Sequence, residues 1–122
     1  MDHTLVHFEF AADDPEALAK FYTDLFGWKI EKTPGPMDYW MIHTAPEGQG
    51  VDGGMMKRQS PEHGALMYFQ VESIDDYVAK VKSLGGQVVM DKHPVPGIGY
   101  FAVALDPQHN PFAIWEEDKE AK

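Results

Sequence analysis

The sequence predicts an α+β fold built from two tandem βαβββ modules, and three observations predict it. Short stretches alternate apolar and polar residues with a period of two. Two amphipathic stretches open on helix-capping residues and close on glycine. One constant spacing of 59 residues maps the first half onto the second: Phe10 falls on Phe69, Ala12 on Val71, Leu18 on Tyr77, Leu25 on Leu84, Gly27 on Gly86 and Ile30 on Val89.

The first strand is read in Leu5 to Phe10, with Val6, Phe8 and Phe10 on one face and Leu5, His7 and Glu9 on the other. Asp14 then sits where an N-cap belongs and Pro15 takes the first helical position. Leu18, Phe21, Tyr22 and Leu25 follow at helical spacing, and Gly27 stops the helix. Trp28 to Thr33 and Tyr39 to Thr44 read as strands separated by Pro34-Gly35-Pro36. Val51 to Arg58 supplies the next strand, in which Gly53-Gly54 predicts a bulge or a ligand close to the backbone. The first module therefore spans residues 5–58, and Gln59 to Gly64 reads as a polar linker.

The second module, residues 65–117, repeats the order. Ala65 to Val71 is a strand, and Ser73 with Asp76 makes a capping-box variant. Ile74, Tyr77, Val78, Val81 and Leu84 form an apolar helical stripe closed by Gly85-Gly86. Strands follow at Gln87 to Asp91, Gly99 to Leu105 and Pro111 to Glu117, separated by HPVPG and by DPQHN. Residues 118–122 are a charged tail expected to be solvated.

Composition narrows the function. The chain has 122 residues, enough for one domain that buries a core without covalent staples. Ten basic against twenty acidic residues leave a net charge of −10, which argues against nucleic acid or an anionic membrane and favours neutral or cationic ligands. There is no cysteine, so disulfides, thiol nucleophiles and thiolate metal sites are excluded. No apolar run reaches membrane-spanning length and the N-terminus lacks a signal-peptide pattern, so the expected location is the cytoplasm. No GxGxxG, P-loop, GxSxG or HExxH motif occurs.

His7, fourteen residues before Phe21-Tyr22, and then Leu25-Phe26-Gly27-Trp28, are similar to an FY…LGW segment. Asp106-Pro107 with Asn110 is similar to a DPxGN turn before a last strand. In this order, within a tandem repeat, the chain resembles the vicinal oxygen chelate superfamily, the glyoxalase/bleomycin resistance/extradiol dioxygenase group. The resemblance implies that the two modules form a half-barrel cavity, and it implies a homodimer. It also implies metal-ligand positions on the first and last strand of each module, which fall here on His7, Gly54, Leu66 and Ala113. One imidazole among four such positions does not hold a divalent ion, so no metal and no cofactor are expected.

The candidate site follows from the strand faces. His7 and Glu9 lie two apart on one face, where a carboxylate could orient an imidazole as a general base. The same two residues also read as a satisfied interior polar pair without chemistry. By the repeat, Tyr68 and Gln70 hold the matching face of the second module, and Trp115 lies on the face of Ala113. The pair Tyr39-Trp40 and the segment His93 to Tyr100 are expected at the cavity rim, and Gly54 and Ala113 leave space within the cavity. His3, His63, His93 and His109 read as solvated, and His43 carries no assignment. Three functions remain open: a metal-free protein that binds a small aromatic or cationic molecule, an enzyme, or a structural and partner-binding domain. The enzyme would be a metal-dependent lyase, isomerase or dioxygenase, or an acid/base catalyst using His7 and Glu9.

Overall fold

The computed structural model describes residues 2–122. In chain order the elements are β1 (Leu5–Ala12), α1 (Pro15–Phe26), β2 (Lys29–Lys32), β3 (Tyr39–His43), β4 (Gly53–Lys57), β5 (Leu66–Gln70), α2 (Ile74–Ser83), β6 (Gln87–Val95), β7 (Gly99–Leu105) and β8 (Pro111–Glu117). The chain divides into two compact units, His7–Leu66 and Met67–Lys122, the second joined by the residues that precede His7.

In the first unit the strand order is β2-β3-β4-β1. The only parallel pairing is between β1 and β4, and the rest is an antiparallel meander. The second unit has the order β5-β8-β7-β6, again with its first and last strands parallel. The repeat shows in the register itself: Glu9 pairs with Gly54 and Tyr68 with Ala113, each 59 residues on. The N-caps agree too. The Asp14 side chain accepts from the Ala17 N–H and the Ser73 side chain from the Asp76 N–H. The second and third strands depart. In the second, Ile30, on its core and opposite Ile42, corresponds to Val88 opposite Ala104 and not to the exposed Val89, an offset of 88 − 30 = 58. In the third, Trp40 opposite Met55 corresponds to Ala102 opposite Ile114, an offset of 102 − 40 = 62 against 114 − 55 = 59. The hairpin before it is longer in the second module and the loop after it shorter.

Each sheet buries one face under its helix. In the first unit Ala12, Trp40, Ile42 and Met55 form the core, with Phe8, Phe10, Leu18, Ala19, Trp28 and Ile30 packed against it. In the second, Val71, Ile74, Val78, Ala102 and Ile114 do so, with Tyr77, Val88, Tyr100 and Phe112 around them. Helix α1 meets the core through Leu18 and Ala19, while Phe21 and Leu25, expected on its buried stripe, are more than half exposed. Leu84, expected on the stripe of α2, is its exposed C-cap, and the left-handed stop is Gly85 at φ +92°, one residue before the position that Gly27 maps to.

Three further expectations change. HPVPG is not a loop: β6 continues to Val95, pairing Pro94 with Tyr100 through two register shifts. It is the last strand of its sheet, where a proline without an N–H costs no ladder bond. The tail is not wholly solvated, because Ala121 is buried and its carbonyl accepts from the Gly97 N–H at 2.8 Å. The 59–64 segment is tied down by Arg58, which donates to Asp13 Oδ1 at 2.9 Å and to the His63 carbonyl. His63 Nδ1 in turn accepts from the Gln59 N–H.

Candidate functional site

The face of the first sheet turned away from α1 carries polar chemistry. Alternation puts Phe8, Phe10 and Ala12 of β1 toward the helix, so His7, Glu9 and Ala11 take the other side. On β3, Trp40 and Ile42 go to the core, so Tyr39, Met41 and His43 share the face of His7. Phe8 and Ile42 both register with Gly53. The residue before it, Asp52, therefore lies in one cross-strand row between His7 and His43.

Within this face the side chains are joined. His7 Nε2 lies 2.8 Å from the Tyr39 hydroxyl, which donates to Glu9 Oε2 at 2.9 Å. His43 Nδ1 lies 3.1 Å from Asp52 Oδ2. Glu9 is 8% exposed and is a buried charged residue. Its carboxylate would be costly there without a donor such as the phenol. Burial pushes the His7 imidazole below its ordinary value, and the negative charge of Asp52 opposes the shift. The ring is neutral near pH 7.

That shift predicts a pH dependence of stability. As pH falls below the unfolded value of about 6.5, the unfolded chain takes up a proton at His7 before the folded one does. The contribution of His7 is thus intact above that value and is lost as pH drops from it through the lowered folded value. Urea unfolding between about pH 7.5 and about pH 5.5 should show wild-type stability falling relative to His7→Gln, and parallel curves would refute it.

Gly53 and Gly54 produce neither a bulge nor an open gap. Pairing on both sides of β4 is continuous. A Cβ at Gly53 would enter the Phe8 ring, and one at Gly54 would coincide with the Tyr39 phenol. The space expected above Gly54 is filled by a ring of this chain, reached diagonally across the sheet. The close backbone approach is by side chain and not by ligand.

The other expected residues separate by face. Tyr68 is buried and meets Phe101 edge to face, with ring centroids 6.2 Å apart, and His93 lies 5.4 Å from Phe101. The Trp115 ring covers Gly99. Gln70 shares the parity of Tyr68, and its carbonyl accepts from His3 Nδ1 at 2.9 Å. Trp40 is core, with its indole N–H on Glu16 Oε1 at 3.2 Å, and Tyr100 packs on the α2 side beneath Lys92. Neither is on the face of its own sheet that carries the remaining candidates, because each stands one residue from the partner that is: Tyr39 and Phe101. Tyr39 is expected with Trp40 at the rim; Phe101 and the pairing of His43 with Asp52 are what sequence reasoning missed. The signal lay in the same alternation, applied one residue over.

His3, expected to be solvated, is held by Gln70 and by the Tyr77 hydroxyl at 3.0 Å. His109 adopts φ +69° where the similar turn has glycine, and Asp106 accepts from the backbone N–H groups of Gln108 and Asn110. Those hydrogen bonds, chiefly from Asn110, hold the Asp106 carboxyl below its usual range.

Among the described residues no group of three His, Asp or Glu side chains could hold a metal ion. Of the positions where the resembled family carries ligands, His7 is the sole donor, since Gly54, Leu66 and Ala113 have none. These residues do not fit a divalent metal. No helix among the described residues is long and apolar enough to cross a membrane.

The family model described as Glyoxalase/Bleomycin resistance protein/Dioxygenase superfamily matches residues 4–114. The anthracycline biosynthesis protein DnrV of Streptomyces peucetius is 30% identical over 125 residues, covering 90% of this chain and 46% of that protein. The chain therefore spans about half the length of that relative. A glyoxylase-like domain-containing protein of Didymella fabae is 28% identical over 114 residues, covering 89% of this chain and 81% of the relative. Among solved structures, a superfamily member from Vibrio splendidus 12B01 matches with a TM-score of 0.67 at 14% identity. That match covers 95% of this chain and 99% of that one, a likeness of fold.

Proposed function

The chain belongs to the glyoxalase/bleomycin resistance protein/dioxygenase superfamily, and from that membership we propose that it binds a small aromatic molecule without a divalent metal. The observation that carries this reading is the His7–Tyr39–Glu9 hydrogen-bonded chain on the non-core face of the first sheet. A carboxylate and an imidazole kept there cost desolvation and contribute nothing to the core, so their retention fits recognition of a ligand's polar group. Separately, one strand face of the second unit carries Tyr68, Gln70, Phe101 and Trp115, an aromatic surface with one amide. A relative named for anthracycline biosynthesis supports an aromatic ligand. The net charge of −10 favours a cationic one, and affinity for it should weaken with salt.

Native mass spectrometry of the purified protein tests the proposal. The expected spectrum has no stoichiometric divalent metal and gains a mass adduct when a cationic anthracycline is added. It also reads the homodimer that the family resemblance implies. Uptake of one divalent ion per chain, with activity abolished by a chelator, would overturn the reading.

A second reading is metal-free acid/base catalysis, and one observation favours it. A neutral imidazole beside a carboxylate relay is competent to accept a proton near pH 7. His7 would be the base, with Glu9 acting through the Tyr39 hydroxyl.

A further inference from the structure

We infer that Tyr39 is a positioning residue: seated in the space that Gly54 leaves, its hydroxyl holds His7 in the tautomer protonated on Nε2, which makes Nδ1 the proton-accepting atom of the site. The inference rests on the reading of His7 as the polar centre of that site.

The tautomer follows from a count of hydrogens. A phenol has one hydrogen to donate, and Tyr39 gives it to Glu9 Oε2 at 2.9 Å. The same oxygen lies 2.8 Å from His7 Nε2, so toward the imidazole it can only accept, and Nε2 must carry the hydrogen. A neutral imidazole has a single N–H, which leaves Nδ1 with the lone pair. The order is Nε2–H to phenol oxygen and phenol O–H to Glu9 Oε2. Each hydrogen bond polarises the next, so the phenol couples the imidazole to the Glu9 carboxyl.

What keeps the phenol in place is the residue at position 54. Gly54 stands opposite Met41 on β3, two residues from Tyr39 and on the same face, and the Tyr39 ring crosses diagonally over it. A Cβ at position 54 would occupy the phenol oxygen and the ring carbons beside it. Even alanine must therefore push the hydroxyl off both partners. Position 54 is where the resembled family carries a metal ligand. In this chain its emptiness admits a tyrosine from the next strand, and that tyrosine orients the histidine in place of a metal.

Long-range proton–nitrogen NMR of protein labelled with 15N-histidine reads the tautomer directly and needs no ligand. Wild type at pH 7.5 should show His7 with Nε2 protonated and Nδ1 not. Tyr39→Phe keeps the ring over Gly54 and removes only the hydroxyl; it should give a mixture of the two tautomers with the remaining backbone resonances unmoved. Gly54→Ala should give the same mixture by displacing the phenol, and the double variant should add nothing to either single change. A wild-type His7 protonated on Nδ1, or a Tyr39→Phe protein with an unaltered His7 pattern, would overturn the inference. Should Gly54→Ala fail to fold, the Tyr39→Phe comparison still decides. Because no ligand enters the measurement, a protein that bound nothing would sink the functional reading and leave this result standing. Anthracycline binding lost on His7→Ala alongside the opposite tautomer would do the reverse.

Discussion

Met55→Ala is expected to lower the unfolding free energy by about 2–5 kcal/mol. Met55 is fully buried. It pairs with Phe10 on one side and Trp40 on the other, so its side chain fills the centre of the sheet face beneath α1. Neighbours on two flanking strands are held by their ladders and cannot collapse into the cavity. Urea denaturation of the variant should show a lower midpoint with an unchanged slope. Met37→Ala is the control: Met37 is 67% exposed, and its loss should register within about 0.5 kcal/mol. A Met55→Ala protein as stable as that control would mean the core has been misplaced.

His7→Ala is expected to weaken ligand binding by at least about tenfold, which is about 1.4 kcal/mol, while leaving the fold intact. The imidazole lies on the face of β1 opposite the apolar cluster, so its removal opens no cavity in that core. What it removes is the group that bonds the Tyr39 hydroxyl. Tryptophan fluorescence titration with a cationic anthracycline, at low and at high salt, measures the loss. Equal affinities for variant and wild type would remove His7 from the site.

Much of this architecture was legible before any coordinates. Asp14 and Ser73 are short polar residues ahead of amphipathic runs, and both cap helices as read. The 59-residue spacing survives into the register of the first and last strands, because those strands and the helix after the first one carry the alternating and helical periods most cleanly. The last strand, Pro111–Glu117, has the bounds its alternation suggested. His7 and Glu9 share a face because the strand period is two, and that needs no tertiary information.

What remained hidden depended on neighbours distant in sequence. Tyr39 and Trp40 are adjacent aromatic residues, and which of the two faces the core follows from the phase of β3 against β4, which its own five residues do not contain. The exposure of Phe21 and Leu25 shows the same dependence: an amphipathic stripe has a centre that packing chooses, and here it falls on Leu18 and Ala19. The burial of Ala121 follows from the Gly97 turn it happens to reach.

The sequence by itself determined the elements, their repeat, and the absence of a metal-ligand set at the positions the family resemblance marks, since these rest on local periodicity and on which side chains have donor atoms. Only the tertiary structure decided what occupies the place above Gly54. A bare glycine on one strand becomes a site for the phenol of another only when strand order sets β3 beside β4, because a hydrogen bond between residues 32 positions apart is made by pairing and not by proximity along the chain.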